Sequence, residues 1–208
     1  MAATESTASR PARLRLASAS VTRARLLENA GLAFAAEPAP VDEEEAKRAL
    51  EAEGADAAAI AEALAELKAR AVSRRHPGAF VIGADQVLDC DGRRFDKPAD
   101  LAAARAQLLA LRGRTHELVS AAVVVRDGKR LWHHVGRARL TMRPFSDAFL
   151  DRYLAQAGPA ILGSVGAYQL EGLGAQLFAR IEGDHFTILG LPLLPLLDFL
   201  RTHGLVPA

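Results

Sequence analysis

The sequence predicts an α/β fold whose sheet is mixed, partly antiparallel and flanked by helices. Three observations carry this. Strand-like apolar runs such as "AFVIGADQVLDC" and "HELVSAAVVV" alternate with Ala-, Leu- and Glu-rich helical runs. Two strand runs end in Asp-Gly, at Asp91-Gly92 and Asp127-Gly128, the dipeptide that favours tight antiparallel hairpins. Half of the 208 residues are apolar, which is enough for a sizeable core.

The elements follow in order. "RLRLAS" alternates and predicts a strand over residues 13–18. The next run predicts a helix with Ser20 as N-cap and Gly31 as its stop. Asp42 to about Arg75 predicts two helices or one broken at Gly54, ended by His76-Pro77-Gly78. The first hairpin returns through "RRFDKP", and Asp100 caps the helix that runs to Gly113. The second hairpin returns through "RLWHHVGRARLTM". Ser146 then caps a helix, and Gly-rich strand and loop lead to a terminal helix ending at Gly204. The polar stretch 1–12 reads as a disordered tail, and 13–208 as a single domain.

Composition excludes several classes. The formal net charge is +1, so nothing points to a nucleic-acid or membrane partner. One cysteine, Cys90, rules out an internal disulfide and suits a reducing cytoplasm. The most apolar stretch, "ILGLPLLPLLDFL", is too short to span a bilayer and contains Pro192 and Pro195. It predicts a buried turn entering a core helix. The six histidines show no metal-ligand spacing.

Candidate chemistry begins at "LASASVTRAR". A strand that feeds a helix directly points unpaired N–H groups at one spot, which favours an anion such as phosphate. Ser18 and Ser20 add hydroxyls and Arg23 a planar charged fork. The plain alternative is an ordinary capped helix. Arg10, Arg13, Arg15 and Arg25 read as solvated. Asp85 lies inside an apolar strand, which is costly for a carboxylate unless something pairs with it or uses it. A metal ion or a water awaiting deprotonation would suit it; so would backbone donors. Gly83 lets a backbone or ligand approach closely. Extending the hairpin register from Cys90–Arg93 puts Lys97 opposite Gln86 and Pro98 opposite Asp85, unless a bulge changes the face. By local sequence alone, Lys68 is an ordinary helix lysine, Glu43 an acid at a helix start, and Glu171 a residue of a glycine-rich turn.

Together, "LASASVTRARLL", "LAELKARAV", "VIGADQVLDCDGRRFDKP", "LRGRTHELVSAAVVV", "GAYQLEGLG" and "IEGDHFTILGLPLLPL" resemble the Maf family of nucleoside triphosphate pyrophosphatases, across nearly the whole chain. The resemblance implies two lobes around a deep cleft. It implies hydrolysis of a nucleoside triphosphate to monophosphate and pyrophosphate with a divalent cation, Mg²⁺ or Mn²⁺, and a homodimer. By position, Asp85 matches the water-activating acid. Ser18, Ser20, Arg23, Lys68 and Lys97 match phosphate-side residues, and Glu43 matches an acid that shares the metal with Asp85. Thr22 stands where the family often has arginine, and Asp96 where it usually has glycine. Gln86 and Glu171 look more like the branch acting on 7-methyl-GTP than the dTTP/UTP branch; with Thr22 they are the expected specificity residues. The competing readings are a dTTP/UTP pyrophosphatase and a non-enzymatic nucleotide-sensing regulator of cell division.

Overall fold

The computed structural model describes residues 13–207; the expected tail, 1–12, lies outside them. Seven strands form one mixed sheet: β1 (Leu14–Ala17), β2 (Ala35–Ala36), β3 (Phe80–Cys90), β4 (Arg93–Phe95), β5 (Thr115–Arg126), β6 (Lys129–Met142) and β7 (Phe178–Gly183). The order is β2-β1-β3-β5-β6-β7, with β4 also on β3. The helices are α1 (Val21–Asn29), α2 (Glu43–Ala52), α3 (Ala57–Ser73), α4 (Leu101–Leu111), α5 (Asp147–Ala157), α6 (His185–Ile188) and α7 (Leu193–Thr202). No helix among the described residues is long and apolar enough to cross a membrane.

The local signals were accurate. Ser20, Asp100 and Ser146 cap α1, α4 and α5, each accepting a backbone N–H three residues on. Asp91 and Gly92 both have positive φ, 54° and 80°, as do Asp127 and Gly128, so both turns have the twist that paired strands need. Gly54 separates α2 from α3, and the Pro192 turn leads into α7, which buries Leu193, Leu196, Phe199 and Leu200.

Three apolar clusters divide the sheet. On one face α3 packs Ile60, Leu64 and Val72 against Val81, Val119, Ala121 and Val123. On the other, α1 and α7 pack against Leu16, Ile82 and Val124. Further along, α4 and α5 gather Leu88, Phe95, Leu118 and Leu140 into a third cluster. The long strands β3, β5 and β6 thus run through two lobes.

The edge of β3 matters most for the site. β5 pairs with β3 continuously from Val81 to Asp89 on one side. On the other side β1 pairs parallel with Phe80–Gly83, and β4 antiparallel with Leu88–Cys90. Residues 84–87 therefore face a gap between two strands that leave in different directions. In an open α/β sheet such a switch in pairing opens a crevice.

Two expectations need correction. Hairpin pairing stops at Leu88–Phe95, so Lys97 is not opposite Gln86 and Pro98 is not opposite Asp85. The chain is drawn off after Phe95: the Asp96 carboxylate pairs with Lys47 on α2, and its carbonyl accepts from Gln107 Nε2 at 2.9 Å. Arg15 is not solvated; it is half-buried and paired with Glu37 at 3.3 Å.

Candidate active site

A cleft of about 700 Å³ lies at the gap in the β3 edge, lined from the connection between β1 and α1, from α1, α2, α3 and β3, and from the turn before α7. At its base, α3 lies almost in backbone contact with β3 at Gly83. A Cβ there would come within 2.0 Å of the Ala65 carbonyl oxygen. The expected close approach at Gly83 is therefore helix on strand, and it sets Lys68 beside Asp85.

Lys68 and Asp85 are both buried, at 5% and 9% exposure. Lys68 Nζ donates to Asp85 Oδ1 at 2.7 Å and meets Glu43 Oε2 at 2.5 Å. One ammonium thus braces two carboxylates from different elements. Asp85 Oδ2 has no donor among the described residues and remains open to the cleft. A carboxylate in this position is tolerable because it is paired, and removing either partner would strand the other.

The second cation is Arg23. Its Nε donates to the Gly190 carbonyl at 2.8 Å, and its Nη1 to the Ala84 carbonyl at 3.0 Å and to Ser18 Oγ at 3.4 Å. The guanidinium fills the gap in the β3 edge, satisfies the orphaned Ala84 carbonyl and ties α1 to the turn before α7. Burial pulls its pKa below the usual arginine value, opposed by the charges of Asp85 and Glu43. Nη2 makes none of these bonds and is left for a ligand oxygen. Ser18 Oγ accepts the Ser20 N–H at 3.1 Å, and Ser20 Oγ caps Arg23 N at 3.3 Å. Both hydroxyl protons stay available, next to the unpaired first-turn N–H groups of α1.

Ser18, Ser20, Thr22, Arg23, Glu43, Lys68, Asp85, Gln86 and Lys97 all line this one cleft. Lys97 is exposed on the loop after β4. Glu171 is not part of the lining; it is exposed on its turn, and Gly163, Ser164 and Val165 form that wall. The sequence did not single out Lys47 and Arg48, which line the cleft from α2. Their signal was available: Lys47 sits one turn beyond Glu43, and Arg48 one turn beyond Glu44, which also lines the cleft.

The donor set suits a hard divalent cation in a limited sense. Asp85 and Glu43 would offer oxygen ligands, and both converge on the Lys68 ammonium. Among the described residues no group of three or more His, Cys, Asp or Glu side chains could enclose a metal. Two carboxylates with the balance supplied by phosphate oxygens and water is the usual arrangement for Mg²⁺.

A break in sheet pairing, a helix N-terminus and alternating acids and cations define an α/β protein with a charged cleft at the edge of its sheet. Comparison with known proteins narrows that class. Residues 13–203 match the family model described as Maf, Maf-like protein, so the chain belongs to the Maf family. A nucleoside triphosphate pyrophosphatase of Paramagnetospirillum magneticum is 66% identical over 92% of this chain and 100% of its own length. One from Rhodospirillum rubrum is 58% identical over 92% of this chain and 95% of its own. A 7-methyl-GTP pyrophosphatase of Mesorhizobium japonicum is 56% identical over 92% and 96%.

Proposed function

We propose that the chain is a nucleoside triphosphate pyrophosphatase that splits the bond between the α- and β-phosphates. The observation that carries this is Lys68 bridging Asp85 and Glu43 beside the N-terminus of α1. Asp85 Oδ2 positions a water and takes its proton as the oxygen attacks the α-phosphorus. Pyrophosphate leaves, and nucleoside monophosphate remains. Ser18, Ser20 and the first-turn amides of α1 hold phosphate oxygens by hydrogen bonding. Arg23 Nη2, Lys68 and Lys97 offset charge on the oxygens as it builds toward the leaving group. Mg²⁺ or Mn²⁺, held by Asp85 and Glu43, would supply further charge compensation on the phosphates.

For the base, the reading favours a 7-methyl-GTP-like or other modified nucleotide, which places the enzyme in nucleotide house-cleaning. Gln86 and Thr22 line the cleft in support of this, and a relative named for 7-methyl-GTP shares 56% identity. Glu171 would contribute only if its turn moved inward. The same reading puts the protein in the cytoplasm, in keeping with its one buried, unpaired cysteine; a homodimer is what the family resemblance implies.

The test is a panel of canonical and modified nucleoside triphosphates with Mg²⁺ or Mn²⁺, with products separated by chromatography. Monophosphate and pyrophosphate are expected. Diphosphate and orthophosphate would overturn the assignment.

A further inference from the structure

The Gln86 side chain is held more firmly than a surface specificity residue needs. Its Nε2 lies 2.9 Å from Ser120 Oγ, 3.2 Å from the Thr187 carbonyl and 3.0 Å from the Ile188 carbonyl. Ser120 is fully buried on β5, directly opposite Gln86 in the sheet. Its hydroxyl donates to the Thr187 carbonyl at 2.7 Å. That uses the one proton a serine has, so Ser120 Oγ can offer Gln86 only lone pairs. The other two partners are carbonyls, which also only accept. Turning the amide over would set Oε1 against three acceptors, so the network admits one orientation. Oε1 accepts nothing from the described residues and remains accessible in the cleft, beside Gly190.

We propose that Ser120 is a positioning residue that, together with the Thr187 and Ile188 carbonyls, locks Gln86 as a pure hydrogen-bond acceptor, so that the cleft selects nucleotides whose base carries an N–H donor. This rests on the pyrophosphatase reading and adds the chemistry of its base recognition. Gly136 supports the lock from behind: a Cβ there would come within 2.5 Å of Thr187 Oγ1, so only glycine lets α6 sit close enough to present its carbonyls. The substrate donor could belong to the base or to the ribose, and the two are separable. Purine riboside triphosphate keeps the ribose hydroxyls and has no base N–H. The 2′-deoxy form of GTP keeps the base and loses one hydroxyl.

The experiment measures kcat and KM for GTP, 2′-deoxy-GTP and purine riboside triphosphate, with equilibrium binding of the same three nucleotides in parallel. The parent enzyme should prefer GTP to purine riboside triphosphate by at least about tenfold in kcat/KM, and by a similar factor in affinity. Ser120→Ala removes one of the three acceptors and leaves the Thr187 and Ile188 carbonyls to hold the amide, so the preference should fall by about threefold, chiefly through KM. Ser120→Thr restores a hydroxyl and should recover the preference; Gln86→Leu should lose it even with Ser120 intact. A preference unchanged by Ser120→Ala overturns the proposal, as does equal use of GTP and purine riboside triphosphate by the parent. Discrimination only against 2′-deoxy-GTP would overturn the assignment to the base. If neither these three nucleotides nor 7-methyl-GTP is hydrolysed, the pyrophosphatase reading fails, and the binding ratios still decide the role of Ser120.

Discussion

Asp85 on β3 and His116 on β5 are both buried titratable groups whose side chains meet a partner from another element. Asp85 pairs with a lysine, keeps one oxygen open to a cleft, and stands among the other charged groups that line it. His116 is 1% exposed, and its Nε2 lies 2.7 Å from the Tyr168 hydroxyl. Burial pushes His116 down to about 4, and pushes Tyr168 well above its ordinary value. Both are therefore neutral at physiological pH. The nearby Tyr153 hydroxyl donates to the Ala167 carbonyl at 3.0 Å, in the stretch where Gly166 and Ala167 both have positive φ. That network fastens an irregular turn, and none of its three side chains lines the cleft at Asp85. The contrast shows that burial of a titratable group points to chemistry only where charge is retained and solvent or substrate can reach it.

The largest expected effect breaks the charged cluster. Asp85→Asn should slow pyrophosphate release by about 10²- to 10⁴-fold. Turnover within tenfold of the parent would remove Asp85 from the base role.

The neutral cluster should respond to acid instead. His116 has a folded pKa depressed from 6.5 to about 4. Its contribution to stability is full above pH 6.5 and is lost as the pH falls toward 4, because the unfolded chain takes up the proton first. At about 1.4 kcal/mol per pH unit the loss is roughly 3 kcal/mol. Urea unfolding at pH 7, 5.5 and 4 measures it. A His116→Phe variant with the same acid profile would assign the loss to other groups.

Tyr168→Phe should cost about 1–3 kcal/mol, since it leaves a buried histidine nitrogen without its partner. His116 Nδ1 already has none among the described residues. Turnover should change by less than threefold; a larger change would show that the neutral network reaches the cleft wall at Gly163–Val165. The smallest effect belongs to the rim. Asp96 pairs with Lys47 from an exposed position, its side chain 76% accessible, so Asp96→Ala should shift stability by less than about 1 kcal/mol. A larger loss in urea unfolding would mean that this pair holds α2, which has no fully buried residue, over the cleft.

Much of the fold was legible because its signals are short-range. A cap acts three residues ahead, and an Asp-Gly turn sets the register of the residues beside it: Cys90–Arg93 and Asp89–Arg94 pair as the turn requires. The same rule failed a few residues further on. Asp96 and Gln107 draw the chain off the hairpin, and no turn chemistry encodes a contact with α2 or α4. Even where the register held, the side chains did not follow it. Asp89 accepts the Gly92 N–H at 2.9 Å, and Arg94 reaches Glu51 at 3.3 Å.

The sequence by itself determined the helices other than α6, the two hairpins, the capped start of α1 and the anomaly of a carboxylate in an apolar strand. Tertiary structure decided which groups that carboxylate would meet. Lys68 is 17 residues from Asp85, Thr187 is 101 from Gln86, and Gly190 is 167 from Arg23. Local backbone preference carries no information over such separations. Those contacts exist because a glycine lets α3 press onto β3, and because β1 and β4 part at the same edge and leave a carbonyl for Arg23 to satisfy.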